Sequence, residues 1–468
     1  MKYLKQNRYG LCALAIITFA LLLRILLVSL GWPPTNSDEG TMGIMALHIA
    51  YHGEHPVLYY GQNYMGAIEA YLGALFFHLL GASLFTLRLG TLLLFSLFLA
   101  STYLLTSLLY TKKFALVVLI LLSLGSNTMF VWEIYAKGGS TQTLLFGSLS
   151  FLFAAWLALS RGQNLSSGRR WLRYACYGGW GLAIGLGLWS DMIVVPYFAM
   201  SALFLFFFCW RDLRSWAPLF LLLGFVIGML PLIKYNLKAP PGQNSLSVFL
   251  ALFHGTQTHT LHTLLLGIVK TVGVSIPTVT GIPACPVPAL SYANNVNPPN
   301  MLCSTLFKGW GIAYLLLWAT AALLAIQSLW KLRPRYRLFN LAHFTAKQEF
   351  TTKQEVITVR VARFSLLASA GLALASYTVS SAPISMPASH GRYLIGLLIV
   401  TPAVLWPLWR AASHIKLPGR KPDLSRPSAG VSTRRSRASS RRGGGSGGWS
   451  GDRLRRPRTG RKTPAHTP

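Results

Sequence analysis

Acidic side chains are scarce in this chain: eleven Asp and Glu stand against 43 Lys and Arg in 468 residues. The adjacent pair Asp38-Glu39 therefore needs an explanation, all the more because residues 32–66 around it contain no Lys or Arg. A small-residue cleavage site is missing after the first apolar run, 11–30, which leads straight into Trp32-Pro33-Pro34. That argues against a removed signal peptide and for a retained helix. No internal repeat is visible, against a transporter built from matched halves. No strand precedes Gly181, Gly185 and Gly187, so they point to close helix packing and not to a phosphate loop. The basic tail has no aromatic interleaving beyond Trp449, which sets nucleic acid aside as a partner in spite of a net charge of +32.

What is present is apolar. Hydrophobic residues make up 53% of the chain, mean hydropathy is +0.46, and long apolar runs alternate with short polar segments. The fold class expected is an all-α integral membrane protein of about ten transmembrane helices, with amphipathic surface helices in the first outer loop. Lys2, Lys5 and Arg8 place the N-terminus in the cytoplasm by the positive-inside rule. Spans are then expected at about 11–30, 88–110, 114–131, 141–159, 174–190, 192–209, 216–235, 309–330, 364–380 and 394–410. The run 64–82, broken by Gly66 and Gly73 and containing Glu69 and His78, is read as interfacial. Only then do all later basic segments fall on the side of the N-terminus. The expected domains are a membrane domain, 1–411, with a first outer loop at 31–87 and a long outer loop at 236–308. A disordered basic cytoplasmic tail, 412–468, follows.

Six of the eleven acids then face outside: Asp38, Glu39, Glu54, Glu69, Glu133 and Asp191. Ser37 is the expected N-cap of a surface helix that stops at Gly53, with Asp38 and Glu39 in its first turn and Met42, Met45 and Ile49 at helical spacing. Helix capping and a catalytic pair both account for two acids there. Arg24 is a charge inside the first span, open either to snorkelling toward headgroups or to pairing with an acid or a lipid phosphate.

Taken in order, these features resemble the integral-membrane glycosyltransferases of the C superfold, in the branch of the protein O-mannosyltransferases and aminoarabinose transferases (family 39-like). The resemblance rests on the first helix followed by Asp38-Glu39, on Gly53-x-x-Pro56, and on Tyr60-Gly61-Gln62-Asn63-Tyr64-Met65-Gly66 opening a second surface helix. Arg88 at the next span, the outer turn 132–139 and the late His390-Gly391-Arg392-Tyr393-Leu394 complete it. The match covers about residues 1–200 and the 390s. Glu133 stands where many relatives have an Asp.

The resemblance implies transfer of a sugar from a polyprenyl-phosphate-linked donor to a lipid, glycan or protein acceptor on the outer face of the cell membrane. No cofactor is expected. Asp38 matches the catalytic position and would act as general base, with Glu39 orienting it or binding acceptor. The leaving phosphate needs fixed cations: Arg392 first, with Arg24, Arg88, Lys137 and Lys234 as alternatives. Tyr60, Gln62, Asn63, Tyr64, Glu133, Lys137, Asp191, His390 and Tyr393 are the expected substrate-binding residues. The competing class is a membrane transporter or lipid flippase.

Two weaker signals remain. His48 and His52 have the i,i+4 spacing of a metal pair, with Glu54 and His55 nearby. Histidines on a surface helix are commoner than metal sites, so none is expected. Cys285 and Cys303 share the long outer segment and are candidates for a disulfide worth about 3 kcal/mol.

Overall fold

The computed structural model describes residues 2–161, 167–254, 260–281, 301–331 and 347–414, and the structural statements below concern these. All of them lie in one unit, Met1–Ile415. Cys285 and residues 415–468 of the tail fall outside the described residues.

Every regular element among the described residues is helical, because the apolar runs are too long for strands and a bilayer admits only internally hydrogen-bonded segments. Helix α1 (Lys2–Ser29) leads to the surface helices α2 (Ser37–His52) and α3 (Ile68–Leu80). Then come α4 (Leu84–Leu109), α5 (Lys112–Ser123), α6 (Asn127–Ile134), α7 (Ser140–Leu159), α8 (Ser167–Ser190), α9 (Val195–Cys209) and α10 (Ala217–Lys238). The second half holds α11 (Ser245–His254), α12 (Leu261–Lys270), α13 (Ile276–Thr280), α14 (Met301–Trp330), α15 (Lys347–Val379), α16 (Ala382–Ser385) and α17 (Thr401–His414). Nine segments among the described residues are long and apolar enough to cross a membrane, and the bent pair α5–α6 would make ten. The chain is a multi-pass membrane protein.

Several boundaries differ from the sequence expectation. Asn36, not Ser37, caps α2: its side-chain oxygen accepts the Glu39 N–H at 2.9 Å. Gly53 does end that helix, in a left-handed conformation. The 13-residue α3 is too short to span, in keeping with its interfacial reading. Arg88 does not begin the next span but lies one turn inside it, after a Ser83–Thr86 capping box. The run 114–131 is not one straight helix, because α5 and α6 meet at 84°. Ser126 caps the second piece at Met129, and Arg24 stitches the bend. Its guanidinium donates to the Ser123 carbonyl (3.2 Å), freed where α5 ends, and to Glu133 in α6 (2.6 Å). Phe95 and Phe130 cover it at 4.2 and 4.0 Å. Arg24 therefore pairs with an acid and does not snorkel.

The run 174–190 is not among the segments apolar enough to span alone, whereas Leu261–Thr280, expected to be loop, is. Packing accounts for both. Helix α8 runs parallel to α10 at backbone contact: a Cβ at Gly224 would collide with the Gly178 carbonyl, and one at Gly228 would stand 2.8 Å from the Leu182 carbonyl. Glycines on both faces permit this approach, and α8 follows a spanning helix along its length. Segment 261–280, with a π turn at Thr271–Ser275, instead lies across helix ends. It touches Thr378 and Tyr377 at the end of α15, Ile384, Pro387, and Lys308–Gly311 early in α14.

Basic segments gather at one end of the bundle. Arg161 bonds the Phe208 carbonyl, Arg173 pairs with Asp212 at 2.5 Å, Arg360 bonds Ser328 at 2.7 Å, and Arg363 bonds the Leu109 carbonyl. A cavity of about 780 Å³ opens there among Arg169, Arg360 and Arg363. The scarce acids of the first loops lie at the other end, with segment 261–280.

Candidate active site

The site is built on a turn held by two buried carboxylates, one from each surface helix. Glu39, fully buried, accepts Arg88 Nε (2.9 Å) and Nη2 (2.7 Å) and the Ala136 N–H (3.3 Å). Arg88 Nη2 also donates to the Pro33 carbonyl at 2.8 Å, fastening the loop that enters α2. Glu69 accepts the Gly138 N–H at 2.7 Å and the Thr141 hydroxyl at 3.3 Å, and burial raises its carboxyl to about 7. Ala136 and Gly138 are thus pinned on either side of Lys137. Gly138 and Gly139 both have φ near +82°, and a Cβ at Gly139 would collide with the Asp191 carboxylate. This Gly-Gly step brings Asp191 beside the turn. The role of Glu69 was legible in sequence only as an unexplained acid.

Around the turn stand charges from four separate elements. Asp38, in the first turn of α2, is half-buried, and its carboxylate has no hydrogen bond or ion pair among the described residues. Lys137 is 7% exposed, its amine 5.8 Å from the Trp132 ring and 5.4 Å from that of Tyr135. Burial first, and Arg392 second, lower the Lys137 amine to about 7, while Asp38, Glu69 and Glu39 act the other way. Asp191 caps the turn after α8 by accepting the Ile193 N–H at 3.1 Å, and burial raises it to about 6 against the pull of Arg392. Tyr64, between α2 and α3, is raised to about 12 by burial and feels Tyr393, Asp191, Arg392 and Asp38.

Arg392 completes the group. It lies in a 3-10 helix, His390–Val400, that runs into α17, so the last helical segment begins at His390 and not at 394. The tighter helix rises about 2.0 Å per residue in place of 1.5, lifting Arg392 about 4 Å farther from Val400 than an α-helix would. Its guanidinium stands 5.3 Å from the Tyr393 ring, within electrostatic reach of Asp38 and Asp191. Ion pairs among the described residues are Arg24–Glu133, His48–Glu54, Arg88–Glu39 and Arg173–Asp212. Asp38, Lys137 and Arg392 belong to none of them.

The structure thus gathers Asp38, Tyr64, Lys137, Asp191, Arg392 and Tyr393, with His390 stacked on Tyr393 and Gln62 and Asn63 next to Tyr64 in the chain. Arg24 and Arg88 are fully buried and paired with Glu133 and Glu39. Lys234 is exposed on α10 without an ion pair among the described residues. His390 turns to the Ala382 carbonyl (3.2 Å) and Ser385 (3.1 Å) and stacks on Tyr393. Tyr60 bonds Glu54 and His48 at the far end of α2. Gln62 and Asn63 are half-buried in the turn before Tyr64. Cys303 is disulfide-bonded, while Cys285 lies outside the described residues.

No protein-family model and no curated protein matches the chain. Among solved structures it is similar to ArnT from Cupriavidus metallidurans bound to undecaprenyl phosphate. Identity is 16% over 87% of this chain and 78% of that one, with a TM-score of 0.39. It is also similar to the archaeal oligosaccharyltransferase AglB from Archaeoglobus fulgidus in complex with an inhibitory peptide and a dolichol-phosphate. There identity is 14% over 86% of this chain, which spans about half of AglB (51%), with a TM-score of 0.38. Identity and TM-score are low in both, and neither assigns a family.

Proposed function

We propose that the chain transfers a sugar from a polyprenyl-phosphate-linked donor, of the lipid class bound in the ArnT and AglB structures, to an acceptor at the outer face of the cell membrane. One observation carries the reading: a carboxylate and two cations without ion-pair partners, Asp38, Lys137 and Arg392, converge from α2, the 132–139 turn and the 3-10 helix. The neighbouring acids Glu39 and Glu69 are consumed in holding that turn.

A carboxylate without a partner is able to take a proton from an attacking hydroxyl, which is the role of Asp38. The departing lipid phosphate gains charge as the glycosidic bond breaks, and prepositioned cations stabilise it. Arg392 is the principal phosphate ligand, offering a two-pronged guanidinium, and Lys137 adds a point charge beside it. Direct displacement of phosphate by the hydroxyl inverts the anomeric carbon. Asp191 and Tyr64 face the sugar.

In membranes supplied with lipid-linked donors, Asp38→Asn should lower transfer by about 10²–10⁴-fold while leaving expression and donor binding intact. Near wild-type turnover in that variant would reduce Asp38 to a first-turn acid. Arg392→Ala and Arg392→Lys should both weaken donor binding, since Lys cannot reproduce a planar fork. A Lys variant with unchanged donor affinity would make Arg392 an interface anchor.

A further inference from the structure

A second cluster lies at the opposite end of α2. His48 is ten residues from Asp38 along the helix, about 15 Å at an α-helical rise. Gly53 closes α2 at φ +68°, its N–H bonded to the His48 carbonyl, and the Glu54 N–H bonds the same carbonyl at 3.2 Å. This reversal folds Glu54 back over the last turn. Its Oε2 lies 3.4 Å from His48 Nδ1, and the His48 and His52 rings stack at 5.4 Å. One ligand atom from each of His48, His52 and Glu54 falls within 4.8 Å of the others.

That spacing is close to what a metal ion requires. A tetrahedral centre with bonds of about 2.0–2.1 Å holds its ligand atoms about 3.3 Å apart. His48 and Glu54 already meet this, and a ring adjustment of about 1.5 Å would bring His52 to it. Two imidazoles and a carboxylate suit zinc, with a fourth position for water. Tyr60 supplies an outer-shell bond, its hydroxyl donating to Glu54 Oε2 at 2.7 Å. A hydrogen-bonded trio of His48, Glu54 and Tyr60 would make no use of His52; a metal would.

We propose that His48, His52 and Glu54 form a zinc site that fastens the end of α2 to the segment leading to Tyr64. At about 15 Å from Asp38 the ion takes no part in the transfer. It restrains residues 54–64, which place Tyr64 at the cluster.

The test uses the full-length protein in detergent, stripped with EDTA and titrated with zinc chloride by calorimetry and with cobalt(II) by absorption. Wild type should bind a single equivalent of zinc, with a rise in its thermal midpoint. Outer-shell changes alone cost about 10–100-fold in affinity, so His52→Gln and Glu54→Gln should each lose at least the upper end of that range. Both variants should keep the metal-free midpoint, and His55→Ala, next to the cluster but outside it, should titrate as wild type. The site is refuted if wild type takes up no zinc in the micromolar range. It is equally refuted if zinc binding persists unchanged in the His52→Gln, Glu54→Gln double variant.

Discussion

Two buried carboxylates decide what Asp38 is free to do. Glu39 and Arg88 form a fully buried pair with two hydrogen bonds, and removing one partner of such a pair typically costs about 3–5 kcal/mol. Glu39→Gln should therefore lower the thermal midpoint and the yield of folded protein, whereas Asp38→Asn should lower neither. An equal loss of transfer with unchanged stability in both variants would make the acids a functional pair. Lys137 gives a pH signature. Its amine is charged below about 7 and neutral above, while Asp191 (about 6) and Glu69 (about 7) gain negative charge as pH rises. All three changes disfavour an anionic donor, so donor affinity should fall as pH rises from about 6 to about 8. Lys137→Met, in which only the two acids still titrate, should flatten that profile; a profile identical to wild type would remove Lys137 from the phosphate site.

At the scale of elements, the close pair α8–α10 is the most sensitive to side-chain size. A Cβ at Gly224 meets the Gly178 carbonyl, which is backbone and cannot swing aside. Gly224→Val should destabilise by about 1–3 kcal/mol or more, seen as a lower thermal midpoint. Gly309 in α14 has open space around it, and Gly309→Ala should be neutral or stabilising by up to about 1 kcal/mol. Matching midpoints in the two variants would mean that α8 and α10 are not in contact. The bend between α5 and α6 belongs to the same scale: Arg24 bonds both sides of it, so the charge inside the first span shapes the bundle.

For the whole molecule, the basic end and the acid-bearing end should face opposite sides of the membrane. Exposed Ser215 lies at the former, and exposed Gln243 follows α10 at the latter. In a background lacking the free cysteines Cys12, Cys176 and Cys209, Gln243→Cys should react with a membrane-impermeant thiol reagent in intact cells, and Ser215→Cys should not. The reverse pattern would place the Asp38 cluster in the cytoplasm and end the outer-face proposal.

Composition, hydropathy and the placement of basic residues alone determined that the chain is helical and multi-pass, gave the interfacial reading of 64–82, and pointed Gly181 and Gly185 to a close helix contact. Such features follow from local patterns of apolar, basic and small residues. Charge pairing was not legible, because Arg24 and Glu133 are 109 residues apart and Arg88 and Glu39 are 49 apart, and nothing in sequence distinguishes a paired ion from a free one. The bend at 124–126 and the course of 261–280 across helix ends escaped for a related reason: hydropathy reports burial from water, not direction in space. The resemblance already set Asp38 apart from Glu39 as the expected general base, and the tertiary structure supplied a physical reason. Adjacent helical residues point about 100° apart, so one carboxylate enters the Arg88 pocket while its neighbour faces the cations at the end of the bundle.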